Sequence, residues 1–393
     1  MAQHTDAKVR PISLRPVVFA WENLGPSHAD RLSAVAASGR RTVALQFSSR
    51  SKTYAWEGTA TDGFEQITVG DAMRPGAMAL AAGLVRQALR IPRADVFLCH
   101  YELPSVLLAA LALRLCGRRV FTMMDSKFDD RPRTLGWELI KALFLRPYCG
   151  ALTASVRSRD YLRFLGVPGA RIELGYDTLS VDRIAALAGA PPAPAGRSFA
   201  ERGFVIVARH VEKKNIAMAL HAFADWRARA IRPRDLHLCG TGPLEPALRS
   251  LAATLGIADA VRFHGFVQTD AVARILAESL CLLLPSVEEQ YGLVVIEAQA
   301  LGVPVLVSRN AGACDTLLVD GINGFVVDPA VQAPLAAQML LLSEDESRWR
   351  RMASAAHAGR YRGDVRHFVA AVDRLVGTQP AARRAGSPGI RRV

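Results

Sequence analysis

Short apolar runs alternate with helix-like segments along most of this chain, and that alternation restricts the fold more than any other feature. In the first half, the runs at residues 17–21, 43–47, 96–101, 119–124 and 151–154 read as strands. The segments at 29–38, 78–90, 103–116, 135–145 and 157–165 read as helices. Short apolar runs without polar alternation are the pattern of strands buried on both faces. Strands separated by helices build βαβ units and a parallel sheet.

Residues 188–198 read AGAPPAPAGRS and interrupt this pattern. Pro191, Pro192 and Pro194 suit neither a helix interior nor a central strand. A second series then begins, with strands at 204–208, 236–239, 261–263, 281–284 and 303–307, each followed by a helical stretch. The expected fold class is α/β, with two doubly wound domains in tandem. The expected division is a first domain over 1–187, a linker at 188–200 and a second domain over 201–362. A helix at 363–377 is placed to cross back to the first domain, and a basic tail at 378–393 reads as disordered. Ligands of such sheets bind beyond the carboxyl ends of the strands, so two facing domains put a site in the cleft between them.

Composition narrows the function classes. With 50% hydrophobic and 22% charged residues, the 393-residue chain has too much apolar surface for a disordered protein. Its six cysteines (99, 116, 149, 239, 281, 314) are scattered without a C-x-x-C pair. They read as buried thiols, not as a disulfide or zinc framework. The formal charge is +13, and residues 1–200 carry 26 basic against 17 acidic side chains. A basic first half suits an anionic partner. No aromatic–basic motif points to nucleic acid, so the expected partner is a phosphorylated substrate or an anionic membrane surface. Residues 1–9 are polar, and the apolar stretch at 106–113 is too short to span a bilayer. A cytoplasmic protein, soluble or peripheral on the inner face of a membrane, is expected.

Three segments carry chemistry. Residues 285–308, PSVEEQYGLVVIEAQALGVPVLVS, read strand, loop, helix, strand. Gly292 is expected to open the helix, whose free N–H groups and positive dipole end suit an anion. Glu289 precedes that helix, and Glu297 lies about five residues into it, ~7.5 Å along the axis. Carboxylates accept from sugar hydroxyls. A solvated helix face is the plain alternative, weakened because Glu297 sits among Val294, Val295, Ile296 and Ala298. Residues 205–215, VIVARHVEKKN, place Arg209 and Lys214 just after a strand, a pair suited to a diphosphate. Residues 238–244, LCGTGPL, read as a tight turn with close backbone approach beside a nucleotide. Glu245 stands where a dinucleotide fingerprint needs a small residue, which disfavours a Rossmann dehydrogenase.

Taken in order, Arg209 with Lys214, the Gly240–Gly242–Pro243 turn, VRFHGF at 261–266 and the block at 285–308 resemble the retaining glycosyltransferases of family 4. The resemblance covers roughly residues 203–330. It implies a GT-B fold, two Rossmann-like domains facing across an interdomain cleft. It also implies a nucleotide-diphosphate sugar donor held by the second domain, with no metal or other cofactor. By position, Arg209 and Lys214 are implied to hold the diphosphate, Glu289 to contact the donor sugar and Glu297 to accept from the ribose hydroxyls. The backbone of Tyr291, Gly292 and Leu293 is implied to cap the phosphates. Gly240, Gly242 and Phe266 complete the implied donor pocket. The reaction implied is sugar transfer, with retention, to a glycan or lipid-linked acceptor in polysaccharide, lipopolysaccharide or glycolipid assembly. A GT-B protein that binds nucleotide or sugar without turnover is the alternative.

The first half resembles the family in layout only. Many members carry a histidine in a T-V-H-D-like pattern; here residues 122–125 read TMMD, with Met124 in the histidine's place. Asp125, His100 and the reduced first loop at Gly25 are the candidates for the acceptor side. Residues 131–148, RPRTLGWELIKALFLRPY, put Trp137, Ile140, Leu143 and Phe144 on one helical face. Arg131, Arg133, Lys141 and Arg146 edge that face, as in a helix lying on an anionic membrane. Packing on its own sheet is the alternative.

Overall fold

The computed structural model describes residues 14–48, 62–70 and 76–377; the polar start at 1–9 and the tail at 378–393 lie outside the described residues. The first strand, β1 (Val17–Trp21), is buried along its whole length, as a strand covered on both faces must be. It sits inside a seven-stranded sheet with β2 (Thr42–Gln46), β3 (Glu65–Thr68), β4 (Asp95–Cys99), β5 (Val120–Met124), β6 (Gly150–Thr153) and β7 (Ile172–Leu174), in the order β3-β2-β1-β4-β5-β6-β7. The second sheet holds β8 (Gly203–Val207), β9 (Leu236–Cys239), β10 (Val261–Gly265), β11 (Ser279–Leu284), β12 (Val305–Ser308) and β13 (Gly324–Val327), in the order β10-β9-β8-β11-β12-β13. All pairings are parallel. The strand order reverses at β1/β4 in one sheet and at β8/β11 in the other, and a crevice opens at such points.

Among the described residues, six α-helices belong to the first half: α1 (Pro26–Ala37), α2 (Ala77–Leu89), α3 (Pro104–Leu115), α4 (Leu135–Phe144), α5 (Val156–Phe164) and α6 (Val181–Ala188). Seven follow: α7 (Ile216–Arg229), α8 (Glu245–Thr254), α9 (Thr269–Ala277), α10 (Val294–Ala300), α11 (Gln332–Glu344), α12 (Glu346–Gly359) and α13 (Val365–Gly377). The three strands beyond those expected from the sequence, β3, β7 and β13, are all sheet edges. An edge needs less cover, so polar residues such as Glu65 and Glu173 are tolerated there.

The chain changes domain earlier than the proline-rich stretch. Helix α6 already packs on α9 and α10 of the second domain, and Ala193 bonds to the Leu301 carbonyl at 2.8 Å. Residues 181–187 therefore belong with the second domain, and the expected boundary at 187 moves forward. Helix α13 returns to the first domain. Phe368 lies 5.5 Å from the Phe19 ring, Asp373 pairs with Arg40 at 2.6 Å and Arg374 pairs with Glu173 at 2.7 Å.

Two further expectations are corrected. Among the cysteines, Cys239 and Cys281 are buried, but Cys116 is exposed at the end of α3. Around α4 only Arg131 and Arg146 of the four expected cations stay exposed beside the apolar face. Lys141 and Arg133 turn inward to Glu138, because that carboxylate is buried and needs partners. Among the described residues, no helix is long and apolar enough to cross a membrane.

Candidate active site

A cavity of about 420 Å³ lies between the domains, beyond the carboxyl ends of β8, β9 and β11. The sheets bring Val207, Cys239 and Leu284 to its floor, at the β8/β11 reversal where the fold opens a crevice.

The second domain builds its wall by backbone contact. After β8, His210 donates its N–H to the Thr241 carbonyl at 2.9 Å, and its own carbonyl accepts from Leu244 N–H at 3.1 Å. The two loops are so close that a Cβ on Gly240, which sits at φ +141°, would come within 2.0 Å of the Ala208 carbonyl oxygen. A Cβ on Gly242 would lie 2.4 Å from the His210 carbonyl oxygen. Glycine is the residue for such an approach. Gly240 lines the cavity, whereas Gly242 holds the turn from outside the lining. Asn215, itself at φ +56°, ties the loop to its neighbours through the Pro285 and Pro329 carbonyls at 3.2 and 2.8 Å.

This scaffold aims two cations into the cavity. Arg209 and Lys214 both line it, and Lys214 Nζ lies 2.5 Å from Glu289 Oε2. Ser286 donates to the same carboxylate at 3.0 Å. An ammonium has three donors, so Lys214 can hold Glu289 and still face an anion. The helix expected to open at Gly292 begins two residues later, at Val294. Gly292 instead adopts φ +103°, where the backbone turns into α10. Among the described residues, the N–H groups of Gly292 and Leu293 bond to no protein acceptor. Both residues line the cavity, together with Tyr291 and Phe266. The Tyr291 hydroxyl is held by Thr316 at 3.0 Å.

Glu297 is the fourth residue of α10 and also lines the cavity. Its carboxyl has no hydrogen-bond partner among the described residues, and burial pushes its pKa up to about 7, against the opposing pull of Arg183.

The first domain contributes carboxylates. Asp125, after β5, lines the cavity, and burial raises its pKa. Met124 packs in the apolar core under the sheet instead, 4% exposed. Asp177, after β7, was not singled out in the sequence, because β7 is three residues long and carries no apolar run. It lines the same cavity, with Arg31 3.5 Å behind it. Burial and the Asp125 charge raise its pKa, and Arg31 opposes them. His100 and Gly25 are not in the lining. His100 sits at φ +60° with Nδ1 3.5 Å from Glu102. Gly25 is the extended N-cap of α1, its N–H held by His28 Nδ1 at 3.0 Å.

Polar ties across the domains close one end of the cleft. The buried Lys127 ammonium binds the Glu289 carbonyl at 2.7 Å as well as Asp130. Arg157 reaches Asp315 at 2.9 Å and the Ala311 carbonyl at 2.6 Å. Nothing in the sequence marks Lys127 as an interdomain tie.

Comparison with known proteins agrees with this geometry. Residues 198–358 match the family described as Glycosyl transferases group 1. A D-inositol 3-phosphate glycosyltransferase of Streptomyces griseus is 35% identical over 170 residues, 42% of this chain but 36% of the relative's own length. Among solved structures, HepE of Anabaena in complex with UDP superposes with a TM-score of 0.69 at 17% identity, over 92% of this chain and 99% of that one. A glycosyltransferase from Rickettsia africae gives 0.71 at 12% identity, over 92% and 98%. The fold is GT-B, and the match to the glycosyl transferases group 1 family covers residues 198–358.

Proposed function

We propose that this protein transfers a sugar from a nucleotide-diphosphate donor to a glycan or lipid-linked acceptor, with retention at the anomeric carbon and without a metal. The observation that carries the reading is the convergence of Arg209, Lys214 and the free N–H groups of Gly292 and Leu293 on one cavity. Charge develops on the diphosphate as its bond to the sugar breaks. Fixed donors aimed at that charge are worth more in a half-enclosed site than in water.

In this reading Glu297 accepts from the ribose and Glu289 contacts the sugar. Asp125 and Asp177 face the same space from the other domain and accept hydroxyls of the donor sugar or the acceptor. Solved GT-B relatives bound to UDP and to UDP-glucose support a nucleotide-sugar donor. Retention rests on the resemblance to family 4 alone. Polysaccharide, lipopolysaccharide or glycolipid assembly at the cytoplasmic face of a membrane is the proposed setting.

Thermal unfolding with UDP, GDP and ADP tests the donor site, since a ligand of the native state stabilises by mass action. One nucleotide should raise the midpoint above the others, and its sugar conjugates should be turned over. No shift with any of them sinks the reading. Activity should persist in excess EDTA; loss restored by manganese or magnesium would overturn metal independence.

A further inference from the structure

Helix α4 is turned inside out. In the stretch from Arg131 to Arg146 the one carboxylate, Glu138, is buried at 3% exposure. It accepts from Lys141 Nζ at 2.7 Å and from the Tyr161 hydroxyl at 2.5 Å, with Arg133 Nη1 3.8 Å away. Arg133 also stacks over the Tyr161 ring at 4.6 Å. The polar side of the helix is thus fastened to the protein, and the apolar side chains point outward. Leu135, Trp137, Leu139 and Leu143 are 71%, 65%, 59% and 63% exposed. Ordinary surface helices show the reverse pattern.

The patch continues past Tyr161. The Phe128 ring lies 6.0 Å from it and 5.4 Å from Phe164, and both phenylalanines are about half exposed. Exposed arginines stand around the patch at 131, 146 and 163. Arg163 pairs with the exposed Asp160 at 3.5 Å, whereas between 131 and 146 no exposed carboxylate accompanies Arg131 and Arg146. A cluster of exposed apolar side chains of this kind marks an interaction surface.

We infer that this face of α4, with Phe128 and Phe164, inserts into the boundary between headgroups and acyl chains of an anionic bilayer. An apolar helix face rimmed by cations suits that boundary. A second copy of the chain fits less well: a twofold contact sets the same surface against itself, and the exposed carboxylates beside the patch already pair within the chain, Asp129 with Arg157 at 2.6 Å and Asp160 with Arg159 at 3.2 Å. The location also matters. Phe128 follows Lys127, whose ammonium holds the Glu289 carbonyl at the cavity wall. Insertion therefore brings the tied end of the cleft, beside Glu289, close to the membrane surface and a lipid-linked acceptor; that last step rests on the proposed function.

Sedimentation of the full chain with vesicles tests this. Vesicles of equal phosphatidylcholine and phosphatidylglycerol should pellet the protein at low salt, phosphatidylcholine alone much less, and high salt should release it. Acyl-brominated lipid should quench Trp137, with Trp137→Phe as the control that loses the quenching. Leu139→Ser with Leu143→Ser should weaken vesicle binding at least about tenfold. Its unfolding temperature and nucleotide response should be unchanged, because both leucines are exposed. Unimpaired binding by that double variant, or no pelleting with anionic vesicles, overturns the inference. So does wild-type self-association in light scattering that the double variant abolishes, which assigns the patch to a second copy. Nucleotide stabilisation without vesicles is read separately, so failure here leaves the donor site standing.

Discussion

The two walls of the cleft are built by different means. The second-domain wall is backbone against backbone, with Gly240 and Gly242 set so close to residues 208–210 that no Cβ fits. The first-domain wall is a side-chain network. Trp21 donates to the Tyr176 hydroxyl at 2.9 Å, Arg31 donates to the Tyr176 carbonyl at 2.6 Å, and Arg31 backs Asp177. A diphosphate is one fixed chemical group, and rigid loops carrying two cations and free N–H groups suit it. Acceptors differ in where their hydroxyls lie. A wall made of exchangeable side chains can be retuned to them without moving the main chain.

The largest effects should come from the cations of the rigid wall. Arg209→Ala and Lys214→Ala should each lower turnover on the order of 10²–10³-fold, the usual loss for one donor at a developing charge. Steady-state rates with a nucleotide sugar check this. The fold should survive, because Arg209 sits in the loop after β8 and Lys214 in the single 3-10 turn that follows, both at the cavity. Near-wild-type rates would mean that the first-domain wall dominates catalysis. Gly240→Ala comes next. A methyl group 2.0 Å from a carbonyl oxygen forces the two loops apart. The variant should lose on the order of 2–3 kcal/mol of stability and most of its nucleotide response. If Gly240→Ala leaves both unchanged, the wall is not rigid and the contrast fails.

This contrast also explains what could be read from the residues alone. The second-domain wall depends on residue types that mark themselves: glycines at a turn, cations after a strand, a glutamate inside an apolar helix. Those positions, except Gly242, do line one cavity. The first-domain wall depends on tertiary placement. Asp177 follows a short edge strand, and Lys127 acts only because Glu289 arrives from the other domain. His100 sat at the end of an easily read strand, yet its backbone turns it out of the lining. Helix α4 was legible as amphipathic. Which side faced out was not, because the buried partner of Lys141 and Arg133 is Glu138, and a sequence pattern does not show which of its polar groups are paired.

Within the rigid wall, the two glutamates should separate. Glu297→Ala should weaken nucleotide binding about tenfold, the loss of one hydrogen bond to a charged acceptor. Glu289→Ala frees Lys214 from its 2.5 Å pair. It should leave nucleotide affinity intact or raise it, while sugar transfer falls. Calorimetric titration of nucleotide beside transfer rates decides the assignment, and the opposite split would exchange the two roles.

The last comparison of the walls is through pH. Glu297 in one and Asp177 in the other are both raised by burial, Glu297 to about 7. Each therefore keeps its proton in the native state over a range where the unfolded chain has already released it. Native protein binds more protons than unfolded protein there, so linkage makes stability fall as pH rises from the ordinary carboxylate range toward 7. The loss amounts to roughly 1 kcal/mol for each pKa unit of upward shift. Glu297→Gln and Asp177→Asn remove the titration while keeping the shape, so each should flatten the decline in denaturant midpoint over this window. The first-domain change should be the larger, because burial and the Asp125 charge raise Asp177 from a lower ordinary value even with Arg31 opposing them. A decline equal to wild type in both variants would mean that neither carboxyl is held protonated by its wall. A larger change for Glu297→Gln would make the second-domain wall the more strained of the two before any ligand arrives.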